Sequence, residues 1–379
     1  MNKALKEKII TLGKYMNGNS KFHIPLVQSI IDCFEIVMTE EDIDYLLKLE
    51  NGAYTKEELQ TLWALDDAEF EKVFEQLMSK SLMWQTTKGK YELIPIFPGW
   101  IEMYASGPLN DTRKQLIQKF GEFEEILKKL NIPPVRAYMN HVNTNNMRKE
   151  SGRMSTAVAR GSKKVELNQK LTSEQAVYIA GEVYSLLEKN REHLAVMNCF
   201  CRMKKELEGH TCDYKVPVEG CMALGRMAQQ LIEAGIARKV SFEEAVALVK
   251  QFEDLGCIHT IYHYRISSDE EEAVLCNCCV DCCFLYNSYR EGALSQLLMK
   301  AYYKPEILDE SKCVGCNLCH RYCPTAATWY DKENKKLMFD INKCIGCGQC
   351  VTQCHFEVRH MVREERNVFV KTQKRKKAE

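Results

Sequence analysis

Apolar side chains recur at helical spacing through most of the first 130 residues. The run Pro25–Val37 repeats them at intervals of three and four, which predicts an amphipathic helix with proline in its first turn. A capping box, Thr55-Lys-Glu-Glu58, precedes a further apolar run, and another spans residues 70–78. The pattern therefore predicts a series of short helices, with Cys33 as a core residue of the first of them.

A short change of pattern follows these helices. Leu82-Met-Trp84 and Tyr91-Glu-Leu-Ile94 flank a turn at Lys88-Gly89-Lys90, which predicts a β-hairpin. Three helices followed by a hairpin resemble a winged helix-turn-helix domain, which we place at residues 1–140. Residues 141–170 are polar, basic and poor in large apolar side chains, so we predict a linker there.

Helical periodicity returns near residue 171. One helix leads into the first cysteines of the C-terminal half, and another is capped by Ser241-Phe-Glu-Glu244 and stopped at Gly256. We therefore predict a helical, Cys-rich domain over residues 171–304. The chain as a whole is expected to be mainly α with small β elements.

Composition adds one unusual feature, which is the cysteine content. The chain has 379 residues, 52 basic against 52 acidic side chains and a formal net charge of zero, so whole-chain charge favours neither nucleic acid nor membrane as a partner. This length excludes a single small domain. Of the 19 cysteines, Cys33 is alone in residues 1–198, ten lie in 199–283 and eight in 313–354.

The N-terminal sequence bears on the compartment. It has no apolar run typical of a secretory signal and no twin arginine, and no stretch of the chain reaches the 18 apolar residues of a membrane helix. We therefore expect a cytoplasmic protein without a membrane span. In a reducing cytoplasm, cysteines spaced two and three apart are typical of metal ligands rather than disulfides.

One internal repeat dominates the C-terminal part. Lys312–Cys323 and Lys343–Cys354 both contain C-x2-C-x2-C-x3-C, and the two strings are 31 residues apart. In this spacing, three cysteines wrap one corner of a cubane, and the fourth ligates the other cluster. Pro324 follows the first string as the bacterial pattern expects, whereas His355 occupies the corresponding place after the second.

Residues 305–365 therefore resemble a bacterial-type ferredoxin domain, with an α+β fold and two [4Fe-4S] clusters; a basic tail follows at 366–379. A tetrahedral zinc site would use paired knuckles instead. The resemblance implies that the metal ligands cross between the repeats, with Cys313, Cys316, Cys319 and Cys354 on one cluster and Cys344, Cys347, Cys350 and Cys323 on the other.

Nine further cysteines are candidate metal ligands: Cys199, Cys201, Cys212, Cys221, Cys276, Cys278, Cys279, Cys282 and Cys283. If the stretch CNCCVDCC is helical, Cys278 with Cys282 and Cys279 with Cys283 form i,i+4 pairs that point in two directions. The block resembles Cys-rich segments ahead of two-cluster ferredoxin domains in multi-cluster iron–sulfur proteins of anaerobes. Three interpretations remain open: two further cubanes, one cubane with spare thiols, and zinc or an unusual larger cluster.

Other polar residues near these motifs have less specific interpretations. Arg202, His210 and His320 are candidates for hydrogen bonds to cluster sulfur, but ordinary surface positions explain them equally well. Cys257 stands alone after a helix stop, and we interpret it as a small buried hydrophobic residue.

These patterns favour an electron-transfer protein. Iron–sulfur clusters exchange single electrons, and no dinucleotide-binding or P-loop motif marks a nucleotide site, so electrons would enter and leave through redox partner proteins. The chain is more typical of an electron-transfer component than of an enzyme, and we identify no catalytic acid–base pair.

Two other functions remain as alternatives. The first is a redox-sensing DNA-binding regulator, supported by Lys88, Lys90 and the basic tail. The helix in the recognition position argues against DNA, because it is acidic from Asp66 to Glu75. The second is a reductase whose substrate reaches an incompletely ligated cluster in the middle block.

Overall fold

The computed structural model describes residues 2–19, 23–86, 88–129, 155–157, 180–262, 274–290, 300–301 and 303–363. The helices are α1 (Lys3–Gly18), α2 (Gln28–Val37), α3 (Glu40–Leu47), α4 (Lys56–Trp63), α5 (Asp67–Ser79), α6 (Ile101–Ala105), α7 (Asp111–Lys129), α8 (Ala180–Lys189), α9 (Phe200–Leu207), α10 (Gly225–Glu233), α11 (Phe242–Asp254), α12 (Phe284–Arg290), α13 (Leu318–Arg321) and α14 (Gln349–Thr352). The strands are β1 (Met83–Gln85), β2 (Tyr91–Leu93), β3 (Ser155–Ala157), β4 (Leu194–Asn198), β5 (Glu219–Leu224), β6 (Arg238–Lys239), β7 (Ile258–Tyr262), β8 (Val274–Cys278), β9 (Tyr303–Ile307), β10 (Thr328–Asp331), β11 (Lys336–Phe339) and β12 (Arg359–Arg363). The coarse prediction of a mainly helical chain with small β elements is confirmed.

The N-terminal region has the predicted series of helices and the hairpin. Thr55 accepts a hydrogen bond from the Glu58 amide and completes the capping box that starts α4. The antiparallel strands β1 and β2 pair Met83 with Leu93. Cys33 is fully buried on α2, as expected, and its thiol donates to the Ser29 carbonyl. The winged-helix assignment itself stays a prediction.

The middle region differs from the expectation. It contains a six-stranded antiparallel sheet in the order β3-β7-β8-β5-β4-β6, with helices packed against it, so the prediction of a helical middle domain is wrong in this respect. Most residues of β4 and β5 are buried on both faces, which removes the alternation that would mark a strand. The edge strand β3 also lies within residues 141–170, so three residues of the predicted linker are part of the sheet. The rest of that segment and the basic tail lie outside the described residues.

The C-terminal part combines two short helices with two antiparallel strand pairs, β9 with β12 and β10 with β11. This is the α+β content that the ferredoxin resemblance implies. Each repeat string begins in the loop before a short helix, α13 or α14, and continues through that helix.

The N-terminal and middle regions share one hydrophobic core. Phe120 on α7 packs against Phe200 and Phe284, with ring centroids 5.2 and 5.8 Å apart. Beside them, the ammonium of Lys204 forms a buried ion pair of 2.5 Å with Glu124. The first 129 residues are therefore packed against the Cys-rich region. No helix in the described part of the chain combines the length and the apolar character that crossing a membrane requires.

Candidate metal centres

The two repeat strings form tight loops that open toward small cavities. Gly315, Gly346 and Gly348 all have positive φ, between 69° and 80°, a conformation that glycine adopts at little cost. A side chain at Gly315 would collide with the ring of Tyr330, since a Cβ atom there would lie 2.7 Å from it. The loops therefore need glycine for both conformation and space.

Each cavity is lined by cysteines from both repeats. The first cavity, of about 30 Å³, is lined by Cys313, Cys316, Cys319, Cys350 and Cys354. The second, of about 20 Å³, is lined by Cys323, Cys344, Cys347 and Cys350. The fourth cysteine of each string thus faces the cavity of the other string, as ligand crossing requires. Cys350 lines both cavities.

Arg359 on β12 lies beside both ferredoxin cavities. It is 4% exposed; its guanidinium lies over the Phe339 ring and interacts with the Cys350 thiol, and it has no oxygen acceptor among the described residues. Burial raises the pKa of Cys350 to about 12 and also raises that of Cys319, and the charge of Arg359 opposes both shifts. A buried cation with unused donors fits an anionic group in these cavities, because an unpaired buried charge is costly. The sequence analysis did not identify this arginine.

Six cysteines of the middle region form a closed ring of thiols. Each interacts electrostatically with two others, and we call them the six-thiol ring, in the order Cys199, Cys221, Cys276, Cys278, Cys283, Cys201 and back to Cys199. The ring lines a cavity of about 80 Å³, larger than either cavity of the repeat strings, and Cys279 and Cys282 line it as well. Six thiols around one cavity are an arrangement typical of cysteines that bind a metal centre as thiolates.

The ring contacts shift the pKa values of the thiols in opposite directions. Hydrogen bonds from Cys201 and Cys221 hold the pKa of Cys199 well below its usual range. The pKa values of Cys201 and Cys221 lie well above it, chiefly because both share these hydrogen bonds with Cys199. Since metals bind thiolates, loading of this cavity must release the remaining protons.

The N-terminal region supplies one wall of the ring cavity. Phe97, Pro98 and Met103 line it together with the cysteines. Glu102 lines it as well: one carboxylate oxygen accepts a hydrogen bond from the Gly99 amide, and the other is buried with no hydrogen-bond partner among the described residues. Burial raises the pKa of Glu102 well above its usual value and so favours the neutral acid. The sequence analysis did not identify it either.

Arg202, in contrast, was a candidate, and it lies at the ring cavity. It is 2% exposed; one guanidinium nitrogen donates to the Asn277 carbonyl at 2.9 Å, whereas Nε and Nη2 have no hydrogen-bond partner in the described part of the chain. Like Arg359, it offers unused donors and positive charge at a thiol-lined cavity. These two arginines and the cysteines fit anionic iron–sulfur clusters, which accept hydrogen bonds at sulfur.

The three remaining cysteines of the block form a separate group. The sulfur atoms of Cys212, Cys279 and Cys282 all lie within 4.8 Å of one another, and we call them the three-thiol group. The Asp281 carboxylate lies 3.7 Å from the Cys282 sulfur and 2.8 Å from Nε2 of His210.

This division corrects the helical interpretation of CNCCVDCC. Cys276 and Cys278 belong to strand β8 and the following residues form a turn, so Cys278 contacts Cys283, and Cys279 contacts Cys282. The predicted i,i+4 pairs are therefore wrong. By their mutual contacts the nine thiols form groups of six and three, and Cys279 and Cys282 of the smaller group also line the ring cavity.

Two other residues that the sequence singled out, Cys257 and His320, make contacts outside these thiol groups. Cys257 is fully buried, as expected, and its carbonyl accepts a hydrogen bond from Gln349. The ring of His320 contacts the Thr328 carbonyl at 2.8 Å, which explains this histidine without a cluster.

A comparison with known families tests the repeat interpretation. Residues 312–358 match the 4Fe-4S dicluster domain. No curated protein and no solved structure matches the chain. The chain thus carries a 4Fe-4S dicluster domain next to a Cys-rich region, a combination that suggests iron–sulfur electron transfer.

Proposed function

We propose that this chain passes single electrons through several iron–sulfur clusters between redox partner proteins. The observation that carries the proposal is a set of three thiol-lined cavities: two in the dicluster domain share Cys350, and the third, in the six-thiol ring, is linked to them through Tyr286. Adjacent redox centres allow an electron to pass from one to the next, whereas a single centre can only accept and release an electron at one place.

In the dicluster domain, the proposed clusters have crossed ligands. Cys354 joins the cysteines of the first string, and Cys323 joins those of the second. The shared lining of both cavities by Cys350 supports a short path between the two clusters. Arg359, beside both, would stabilise the extra negative charge of either reduced cluster.

A second link connects the six-thiol ring to the dicluster domain. Tyr286 is fully buried, its hydroxyl is 2.7 Å from that of Thr260, and it interacts electrostatically with Cys278 and Cys283 of the ring and with Cys347 of the second cavity. Cys283 and Cys347 also belong to the same hydrophobic cluster. We propose one iron–sulfur cluster in the ring, with Tyr286 between it and the dicluster domain.

The first cavity offers the route to a partner protein. Cys316 is exposed, and it is flanked by the exposed apolar side chains of Val314 and Phe356, which also line this cavity. A cluster near the surface exchanges electrons with a partner more readily than a buried one, so we propose that a redox partner docks here.

The acidic helix α5 argues against the DNA-binding alternative. Asp66, Asp67, Glu69, Glu71 and Glu75 are all exposed on or before it, and the Asp66 side chain caps it by accepting from the Glu69 amide. Phosphate groups would be repelled by this surface. A gel-shift assay that showed sequence-selective, salt-resistant binding of DNA would favour the regulator instead.

Anaerobic iron and acid-labile sulfide analysis tests the proposed function. Two clusters in the dicluster domain and at least one in the ring give about twelve iron or more per chain, with equal sulfide and an absorbance that dithionite bleaches. The sequence-based prediction of four cubanes corresponds to about sixteen iron. A chain that holds no sulfide after anaerobic purification would refute the proposal.

A further inference from the structure

The three-thiol group differs in geometry from every other cysteine group of the described chain. The sulfurs of Cys212 and Cys279 are 3.9 Å apart, and both lie within 4.8 Å of the Cys282 sulfur. The eight cysteines of the dicluster domain, all described, contain no three sulfurs that approach one another this closely, and neither does the six-thiol ring.

This spacing matches one ion and not a cubane. Thiolates about 2.3 Å from a tetrahedral ion are about 3.8 Å apart, close to the 3.9 Å between Cys212 and Cys279. Thiolates on separate iron corners of a cubane are held farther apart, because the cluster itself lies between them. The dicluster cysteines of this same chain include no three sulfurs within 4.8 Å of one another and serve as an internal comparison.

Nitrogen and oxygen ligands lie next to the three thiols. His210, Asp281 and Cys282 form a second group of potential ligand atoms within 4.8 Å, so the two groups share Cys282. The Asp213 amide donates to the Asp281 carboxylate at 2.9 Å and helps to orient it. Three cysteines with a histidine or carboxylate are a typical ligand set of structural zinc.

We propose that Cys212, Cys279 and Cys282 bind a single tetrahedral ion of the Zn²⁺ class, with the fourth ligand from the Asp281–His210 pair. Zinc has no redox chemistry, so the site carries no electrons. This inference is independent of the proposed function, since it concerns zinc content and not iron.

The position of the site indicates a structural role. Cys279 and Cys282 belong to the turn that also leads to Cys283 of the ring, whereas Cys212 lies on a distant loop. Two residues along that loop, the Tyr214 hydroxyl donates to the Arg321 carbonyl at 2.8 Å, and its ring packs on Tyr322, with centroids 4.9 Å apart. The ion would therefore fasten together the ring turn and a loop that contacts the dicluster domain.

Metal analysis of full-length variants purified anaerobically tests the site. The wild-type chain should hold about one zinc beside its iron. Cys212→Ser should lower zinc at least fivefold and leave iron unchanged, whereas Cys278→Ser in the ring should lower iron and leave zinc unchanged. Cys257→Ser is the matched control, because Cys257 is buried in the same apolar cluster as Cys279 and Cys282 and should change neither metal.

Cobalt substitution gives a second readout that does not depend on yield. Co²⁺ at the site should show the ligand-field bands of a tetrahedral thiolate complex, and Cys212→Ser should abolish them. If Cys212→Ser does not fold, Asp281→Asn should weaken zinc retention against a chelator at least tenfold with unchanged iron. Iron-replete wild-type chain without zinc, or loss of iron in Cys212→Ser, would overturn the proposal. A wild-type chain that holds zinc but no iron would instead refute the proposed function alone.

Discussion

Replacement of Arg359 by methionine should lower the reduction potentials of both dicluster centres. The substitution keeps most of the side-chain volume and removes a buried positive charge that lies beside Cys319 and Cys350. Reduction adds one negative charge to a cluster, so loss of a nearby cation makes reduction less favourable. Its burial means that solvent screens this charge only weakly.

The size of the shift follows from Coulomb's law. At roughly 6–8 Å and an effective dielectric constant of about 20, one unit charge contributes about 2–3 kcal/mol. For a one-electron couple this corresponds to about 90–130 mV, which is an upper value because the site can relax. We therefore expect both potentials to fall by tens of millivolts to about 130 mV in Arg359→Met.

The assay is a redox titration of the full-length chain followed by electron paramagnetic resonance. Arg359→Lys should recover part of the potential, because it restores charge without the planar donors. Arg363→Met, at the exposed end of the same strand, is the matched control and should leave both potentials unchanged. Unaltered potentials in Arg359→Met with full iron content would show that the arginine does not act on the clusters.

Two other variants test the ligands and the packing. Cys354→Ser should remove the signal of the first-string cluster and spare the second, and Cys323→Ser should do the reverse; loss of the second-string signal in Cys354→Ser would contradict the crossing. Glu124→Ala should reduce the free energy of unfolding by about 2–3 kcal/mol in denaturant titrations, because Lys204 stays buried with only the half-exposed Glu208 as partner. An unchanged midpoint would show that this ion pair does not hold the N-terminal region against the middle region.

The dicluster domain was predictable because its chemistry depends on local spacing. Three cysteines at two-residue intervals and glycines with positive φ define each loop without reference to the rest of the fold. The proposed crossing of Cys323 and Cys354 rests on the same spacing. The family match at residues 312–358 confirms the type of domain.

The middle sheet was not predictable in the same way. Leu194–Asn198 is apolar at almost every position and buried along its length, and a short run of this kind has the same pattern in a buried helix. The expectation of a helix also produced the incorrect pairing of the cysteines in CNCCVDCC. Once β8 is a strand, Cys276 and Cys278 face one cavity, and the turn after it places Cys279 and Cys282 at the edge of that cavity and next to Cys212.

The arginines show a second limit of prediction from sequence. Nothing near Arg359 in the sequence distinguishes it from a surface residue at the end of a domain. Its role depends on long-range packing that places a buried guanidinium at the first cavity, next to Cys350, which lines both cavities. Glu102 is similar, because it reaches the ring cavity only through the contact between the N-terminal and middle regions.

Iron and acid-labile sulfide content of the anaerobically purified full-length chain tests the central claim most directly. The proposed conduit requires clusters in the dicluster domain and in the six-thiol ring. It therefore predicts about twelve iron per chain with matching sulfide. About eight iron or fewer in fully folded protein would leave the ring without a cluster and would contradict the claim.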